Sequence, residues 1–285
     1  MDAYDTIMMP YYASRVPAPL PTLAEIVLSR DIIGRDDHRT IVRVGRHFLV
    51  KYGTDVDLNE AANMLFVRAN CDIRIPKLYA AYREHSMGLN IIIMEFIRGQ
   101  TIRSIFDRLR RRDREDIAER LRTYMRRLRR IPAGNFYGSL GNRPYSNPFW
   151  EDIPGPFNLG TEVSDAYFHL EFRREPNLYR VNLAAYRDVF DRITRDLDYP
   201  VFSHGDLHWS NILITDNDRI VIIDWERAAF YPAYYEYLVT AGRNHHIPER
   251  WREMARIFLG ENHAAPTELL DEAGAAYYEG RQPRR

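Results

Sequence analysis

The sequence predicts an α+β fold of two lobes, in which a small antiparallel sheet with one helix precedes a larger, mostly helical lobe. Up to about Ile97, short β-branched and apolar runs alternate with turn residues, and one helical pattern interrupts them. After Gly99, long helical patterns replace the short runs. We therefore divide the 285 residues into a lobe of residues 1–97 and a lobe of residues 98–285, with a cleft between them.

The sheet lobe begins with a Pro-rich lead-in, Val16 to Pro21, and we expect the fold to start after it. Thr40 to Val44 and His47 to Tyr52 flank the turn Gly45-Arg46 and predict an antiparallel hairpin. A helix is predicted from Asp57 to about Asn70, because Asp57 and Glu60 resemble a capping box and apolar residues follow at helical spacing.

Two further strands are predicted after Pro76, at Leu78 to Tyr82 and at Leu89 to Ile97. The second contains the run Ile91-Ile92-Ile93-Met94, which is typical of a buried strand.

The second lobe is predicted to be helical around a small hairpin. Ile117, Leu121, Tyr124, Met125 and Leu128 follow a helical period. A Gly/Pro/Asn-rich stretch covers residues 132–160, strands at 211–215 and 219–223 flank the turn Asp216-Asn217-Asp218, and helical patterns return from about Pro232.

Composition excludes several classes of protein. Lys plus Arg and Asp plus Glu number 40 each, so no net field favours nucleic acid or an anionic membrane as a partner. The single cysteine, Cys71, allows no internal disulfide and no multi-cysteine metal site. The first residues lack a signal-peptide pattern and no run of eighteen apolar residues occurs, so we expect a cytoplasmic protein.

The most informative stretch is Phe202-Ser203-His204-Gly205-Asp206-Leu207-His208-Trp209-Ser210-Asn211, followed across the predicted hairpin by Ile222-Ile223-Asp224-Trp225-Glu226. Phosphoryl transfer needs an acidic group to orient or deprotonate the attacking hydroxyl, and oxygen ligands to hold Mg²⁺ on the phosphates. Asn211 opens one strand and Asp224 closes its partner, so both should lie at the same end of the hairpin.

Taken singly, each of these three polar residues fits an ordinary structural role. Asp206 could cap a turn, Asn211 could end a loop and Asp224 could end a strand. Because the spacing, the hairpin and the flanking apolar runs coincide, we favour a nucleotide-phosphate site.

The pair H-G-D-x-x-x-x-N and I-D-W-E resembles the aminoglycoside phosphotransferase and choline-kinase-like family of the protein-kinase-like fold, and in particular phosphotransferase-family proteins of fungi. The resemblance implies that Asp206 is the catalytic base, that Asn211 and Asp224 are the metal ligands, and that His204 and Gly205 support the catalytic loop. It also implies ATP or GTP and Mg²⁺ as cofactors and a small-molecule hydroxyl as the phosphate acceptor.

The same resemblance implies a lysine on the third strand of the first lobe, and Phe48-Leu49-Val50-Lys51 supplies one. Only Lys51 and Lys77 are lysines, so the position of Lys51 is informative, although an exposed charge at a strand end is the alternative. Lys51 would contact the α- and β-phosphates and be held by Glu60, for which the capping box is the competing role.

By the same resemblance, main-chain groups of Glu95 and Ile97 would bind adenine and Met94 would line the back of that site. A buried strand that leaves the core is compatible with this role.

One feature departs from the kinase-like pattern. The loop Gly34-Arg35-Asp36-Asp37-His38-Arg39 holds one glycine and no Gly-x-Gly-x-x-Gly, so phosphate contact there would rely on few backbone amides or on the side chains of Arg39 or His38. This loop motivates an alternative function, a nucleotide-binding module without turnover that acts as a regulator or scaffold.

The acceptor is expected to be small. Pro232 follows Asp224 by eight positions and a helical pattern begins at once, which leaves no room for the peptide-docking segment of a protein kinase.

Three other groups of residues receive structural interpretations. An aromatic group could line an acceptor pocket, but helix packing is favoured; it comprises Trp225, Phe230, Tyr231, Tyr234, Tyr235 and Tyr237. Twelve arginines against five acidic residues between Arg103 and Arg130 indicate a solvated helical face rather than an anion site. His208 and the pair His245-His246 are not spaced for a metal site.

Overall fold

The computed structural model describes residues 9–174, 191, 195–241 and 248–260. Its strands are β1 (Tyr11–Tyr12), β2 (Ile32–Arg35), β3 (Arg39–Val44), β4 (Phe48–Gly53), β5 (Leu78–Glu84), β6 (Leu89–Glu95), β7 (Gly99–Thr101), β8 (Pro200–Ser203), β9 (Ile212–Thr215), β10 (Ile220–Ile222) and β11 (Ala229–Pro232). Its α-helices are α1 (Leu23–Val27), α2 (Asn59–Asn70), α3 (Ile102–Ile105), α4 (Arg111–Leu128), α5 (Gly160–Arg174), α6 (Tyr235–Ala241) and α7 (Glu249–Leu259).

The first lobe is an antiparallel sheet with the strand order β1-β5-β6-β4-β3-β2. The predicted hairpin forms β3 and β4, and its register pairs Ile41 with Lys51. The apolar run of β6 lies in the middle of the sheet, with Ile91, Ile92, Ile93 and Met94 buried, which confirms the buried strand. The α+β, kinase-like fold with an antiparallel sheet lobe is therefore confirmed.

The sheet begins earlier in the chain than predicted. Tyr11 and Tyr12 precede the Pro-rich stretch, yet they pair with Ala81 and Ala80 of β5, so the expectation that the fold starts after that stretch is wrong. A strand of two residues has no periodicity to reveal it. The exposed edge strand β2 was also not foreseen, because its residues do not alternate between apolar and polar.

Helix α2 is buried on most of its circumference, because it lies between the sheet and the second lobe. Its Phe66 ring packs against Phe202, at 4.9 Å between ring centroids, and against Phe230 at 6.1 Å. One apolar core therefore continues from the sheet lobe into the residues around β8 and β11.

The predicted small hairpin of the second lobe forms β9 and β10, in which Ile222 pairs with Ile212. Strand β7 joins this hairpin on the β9 side, directly after the connection that leaves β6. In a second short pair, β8 precedes the hairpin in the chain and β11 follows it. The helical pattern expected at once after Pro232 begins at Tyr235, because residues 229–232 first form β11.

The arginine-rich helix α4 has the predicted amphipathic arrangement. Its apolar stripe, which includes Ile117, Leu121 and Met125, is buried and the helix packs against α7. The arginines on the outer face form exposed ion pairs such as Arg111 with Glu115, which confirms a solvated face.

The aromatic group near the end of the second lobe is packing, as favoured. Trp225, Phe230, Tyr231, Tyr234, Tyr235 and Tyr237 are all buried. Tyr231 stacks on Tyr235 with 4.1 Å between ring centroids, and Tyr145 stacks on Tyr231 with 4.5 Å between them.

Across the described ranges, the longest helices are too polar or too short to cross a bilayer.

Candidate active site

Lys51 links the two lobes. It lies in the middle of β4, and its side chain is 7% exposed. Its Nζ donates to Oε1 of Glu60 at 2.8 Å and to Oδ1 of Asp224 at 2.7 Å. Burial by itself would lower the pKa of Lys51, but the two carboxylates outweigh it and raise that pKa. Lys51 is therefore a buried, charged ammonium and not an exposed strand end.

Glu60 does not cap its helix, so the predicted capping box is wrong. Helix α2 starts at Asn59 after Leu58, which offers no capping side chain, and Asp57 accepts from the Asn59 backbone N–H at 2.8 Å. Glu60 turns inward to Lys51 instead, because the ion pair compensates for burial of its carboxylate. Burial raises the pKa of Glu60, and Lys51 opposes that rise.

Asp224 reaches Lys51 from a constrained backbone. Its φ is +67°, a left-handed conformation that few residues other than glycine adopt, although Asp tolerates it better than most. Burial raises its pKa, but the charge and hydrogen bond of Lys51, together with His204 and Arg39, outweigh burial and the net pKa is lowered. Asp224 is therefore held as a carboxylate at the end of β10.

Asn211 and Asp224 lie at the same end of the β9–β10 hairpin, as predicted. The Ile223 backbone N–H donates to the Asn211 carbonyl at 3.0 Å, which places Asp224 beside Asn211. Nδ2 of Asn211 donates to the main-chain oxygen of Asp206 at 2.9 Å. The structure thus brings Asp206, Asn211 and Asp224 together with Lys51 and Glu60.

His204 and Gly205 stabilise the conformation of the loop that carries Asp206. Nδ1 of His204 accepts from the Asp206 backbone N–H at 3.3 Å, so Nε2 carries the proton and donates to the Ile223 carbonyl at 2.9 Å. Gly205 has a φ of +77°, and a Cβ there would lie 2.4 Å from the carbonyl oxygen of Arg227. Only glycine fits this close approach.

Glu236 also holds this loop, and sequence reasoning assigned no role to it. Its fully buried carboxylate accepts from the backbone N–H groups of His204 at 2.6 Å, Gly205 at 3.2 Å and Leu207 at 3.4 Å. Burial raises its pKa, and His204 with the backbone donors opposes the rise. A lone acid in the aromatic run YPAYYEY was the available signal.

Sequence reasoning gave no role to Arg227, and it named Arg39 only as a possible phosphate contact, without its partner Glu226. Nη1 of Arg227 lies 3.3 Å from Oδ2 of Asp206. Nη1 of Arg39 lies 2.9 Å from Oε2 of Glu226, a contact between the loop before β3 and the segment after β10. Arg39 and Glu226 are 187 positions apart in the chain, so no local pattern could pair them.

The histidines form no metal cluster in the part of the chain that is described. There, the carboxylates of Glu60, Asp224 and Glu226 are the group whose possible ligand atoms lie within 4.8 Å of one another. Nε2 of His208 lies 3.9 Å from Asp206, and burial lowers the pKa of His208. His245 and His246 lie outside the described residues.

Glu95 and Ile97 lie where the chain leaves the sheet. The Glu95 side chain is occupied, because it accepts from Arg74 at 2.6 Å and from the Lys77 backbone N–H at 3.1 Å. Any contact of Glu95 with a base would therefore use its main chain. Ile97 is half-buried and Met94 is buried in the core.

Residues 32–277 match the model of the phosphotransferase enzyme family. The chain belongs to this family. No curated protein sequence matches it significantly.

Solved structures with similar folds include kinase-like aminoglycoside phosphotransferases. The chain is 17% identical to a thermostable mutant of aminoglycoside phosphotransferase APH(4)-Ia in a ternary complex with ADP and hygromycin B, over 87% of this chain and 85% of that one, with a TM-score of 0.57. It is also 17% identical to an aminoglycoside 2'-phosphotransferase-IIIa in complex with GDP, over 88% and 85% of the two chains, with a TM-score of 0.57. A spectinomycin phosphotransferase, APH(9)-Ia, with ADP and spectinomycin, is 13% identical over 88% and 84%, with a TM-score of 0.51. At these identities the likeness shows a shared fold.

Proposed function

We propose that this member of the phosphotransferase family transfers the γ-phosphate of ATP or GTP to a hydroxyl group of a small molecule, with Mg²⁺ as cofactor. The observation that carries the proposal is the buried ammonium of Lys51, which lies between Glu60 and Asp224. A cation fixed between the sheet lobe and the segment after β10 fits a pair of phosphates and their metal ion. The neighbouring folds whose structures contain ADP or GDP support the use of a nucleotide.

Asp206 is proposed as the catalytic base. Its side chain is one quarter exposed, so it can reach an acceptor, and its backbone is fixed by His204 and by Asn211. The acceptor oxygen forms a bond to the γ-phosphorus while the bond to the bridging oxygen of the nucleoside diphosphate breaks, and Asp206 takes the hydroxyl proton. Arg227, whose Nη1 lies 3.3 Å from Oδ2 of Asp206, can hold this side chain in position.

Asn211 and Asp224 fit a magnesium ion by their chemistry. Both offer the hard oxygen ligands that Mg²⁺ prefers. Nδ2 of Asn211 donates to the Asp206 carbonyl, which leaves its amide oxygen as the atom for a ligand bond. When bound, Mg²⁺ would neutralise charge on the phosphates. Lys51 would then share Asp224 with the metal and contact the α- and β-phosphates, while Glu60 keeps the ammonium in place.

The nucleotide base is proposed to lie against main-chain groups of Glu95 and Ile97, at the connection between the lobes. We propose the lobe boundary at this connection, between residues 97 and 98. It fits the end of β6 at Glu95 and the pairing of β7 with the hairpin of the second lobe.

The proposal is tested by Mg²⁺-dependent production of ADP or GDP with a panel of hydroxylated metabolites and aminoglycosides. With an active acceptor, Asp206→Asn should lower the single-turnover rate by about 100- to 10,000-fold, the usual contribution of a general base. Nucleotide affinity should change little, because Asp206 faces the acceptor. Asp216 is exposed in the turn of the β9–β10 hairpin, so Asp216→Asn is the matched control and should transfer phosphate at the wild-type rate.

The alternative function, a nucleotide-binding module without turnover, predicts a different result. Nucleotide would bind to the wild-type protein, but no acceptor would give metal-dependent transfer. Equal single-turnover rates for Asp206→Asn and the wild type would instead contradict the assignment of the base.

A further inference from the structure

The backbone amides of the loop before β3 are hydrogen-bonded within the loop itself. Oδ1 of Asp36 accepts from the N–H groups of His38 at 3.0 Å and Arg39 at 2.6 Å, and the Asp36 N–H donates to the Arg39 carbonyl at 2.9 Å. These are donors of the kind that a glycine-rich loop directs at nucleotide phosphates. A carboxylate from the same loop already binds them, so this loop needs another donor to contact a phosphate.

Arg39 is placed to be that donor. Its guanidinium leaves the loop and reaches Glu226, two residues beyond Asp224, while its Nε lies 3.5 Å from Oδ2 of Asp36. The side chain is one third exposed, so solvent and ligands can reach it. The bond to Glu226 uses one of five N–H donors and Nε faces Asp36, which leaves three donors that can serve a phosphate.

A glycine on the neighbouring strand determines how closely the backbone at Arg39 packs. Arg39 pairs with Gly53 at the end of β4, and a Cβ on Gly53 would lie 2.0 Å from the carbonyl oxygen of His38. The backbone of the loop therefore lies against the end of the strand that carries Lys51. As a result, Lys51 reaches Asp224 from the sheet lobe and Arg39 reaches Glu226 from the same side.

We propose that Arg39 is a phosphate-binding residue whose guanidinium contacts the β- and γ-phosphates of the nucleotide in place of the missing glycine-rich amides. The inference rests on the proposed function, because it concerns the same nucleotide site. A guanidinium suits this role, since its planar set of donors binds two phosphate oxygens at once. Asp36 and Glu226 hold the side chain over the cleft before the nucleotide arrives.

The test compares the affinities of ATP, ADP and AMP for the full-length protein by isothermal titration calorimetry in the presence of Mg²⁺. Arg39→Gln should weaken binding of ATP and ADP by about 10- to 100-fold, as expected for a lost charge-assisted hydrogen bond, and leave AMP affinity within about 2-fold. Arg39→Lys should restore part of the loss, since it keeps the charge. Arg35→Gln removes the same charge from an exposed site on β2, just before this loop, and should bind all three nucleotides like the wild type.

Three results would separate failure of the Arg39 proposal from failure of the proposed function. If Arg39→Gln binds ATP and ADP as tightly as the wild type, the inference is wrong. An equal loss for ATP, ADP and AMP would also overturn it, since Arg39 would then maintain the shape of the cleft rather than bind phosphate. If the wild-type protein binds neither adenine nor guanine nucleotides, the proposed function itself fails. Thermal unfolding without nucleotide should show that Arg39→Gln is folded, with a Tm within a few degrees of the wild type.

Discussion

The Nζ atom of Lys51 lies 2.7 Å from Oδ1 of Asp224, although 173 positions separate the two residues. Lys51 is fixed by the hydrogen bonds of a central strand, and Asp224 follows the last residues of a hairpin in the other lobe. The ion pair therefore fixes the relative position of two separately built elements. Because Lys51 is buried, its removal leaves the carboxylates of Glu60 and Asp224 without a cation, whereas removal of Asp224 leaves Lys51 paired with Glu60.

The Lys51–Asp224 ion pair makes the free energy of unfolding depend on pH. Lys51 lowers the pKa of Asp224 from its ordinary value of 3.8, so the folded protein binds fewer protons here than the unfolded chain. The contribution is present above pH 3.8 and is lost as the pH falls through the lower folded-state pKa. We expect the difference in unfolding free energy between the wild type and Asp224→Asn to shrink as the pH falls from 5 to about 2, measured by urea unfolding. A difference that is constant over this range would contradict the assignment.

Lys51→Met should abolish most of the transfer activity. The loss of a charge that faces the phosphates is expected to lower the rate by about 100- to 1,000-fold. The buried carboxylate of Glu60 then lacks its partner, so we expect about 3–5 kcal/mol of destabilisation by denaturant unfolding.

The control for this change is Lys77→Met, the other lysine of the chain, which is exposed. It should leave rate and stability near the wild type. Similar losses for the two substitutions would show that the general loss of positive charge, and not the position of Lys51, is responsible.

Glu236 is predicted to position the catalytic loop. Glu236→Ala leaves three buried backbone donors without an acceptor, and each costs about 1–3 kcal/mol. Glu236→Gln keeps one acceptor oxygen and should lose less stability. In this variant the single-turnover rate should fall more than nucleotide affinity, because the loop carries Asp206 and not the phosphate-binding lysine. The exposed Glu253→Ala on α7 is the control and should unfold within about 0.5 kcal/mol of the wild type.

Gly205→Ala should disturb the same loop by a steric route. The new Cβ would meet the Arg227 carbonyl at 2.4 Å and would also require a left-handed residue other than glycine, at a cost of about 1–3 kcal/mol for the backbone alone. Gly45 has a similar positive φ of +59°, but no atom lies within 4 Å of its Cβ position. Gly45→Ala thus isolates the backbone effect. If both variants lose the same stability and activity, the close approach at Gly205 is unimportant.

The parts of the site that depend on local pairing could be predicted from sequence. The strand of Lys51 could be predicted because it belongs to a hairpin with a short turn, although the family resemblance singled out the lysine itself. Asn211 and Asp224 could be placed together because a hairpin brings its two ends together. Strand and hairpin signals extend over a few residues, and the chain shows them clearly. The arrangement of Lys51, Glu60, Asn211 and Asp224 follows from these two hairpins and helix α2, whereas Asp206 lies on the loop before β9.

Contacts between distant elements could not be predicted in this way. The i, i+3 pattern of Asp57 and Glu60 has a local explanation as a cap, and the burial of Glu60 against Lys51 overrides it. The Arg39–Glu226 contact and the hydrogen bonds from the catalytic loop to Glu236 depend on packing of the lobes. Buried acids must be paired or hydrogen-bonded, so a lone acid in an aromatic run is a signal worth testing in related sequences.

A crystal structure of the protein with a non-hydrolysable ATP analogue and Mn²⁺ in place of Mg²⁺ tests the central claim most directly. We predict anomalous density for the metal in contact with the side-chain oxygens of Asn211 and Asp224, with the α- and β-phosphates within hydrogen-bond distance of Lys51 Nζ. Metal and phosphates bound elsewhere, with these three side chains in contact with neither, would contradict the account.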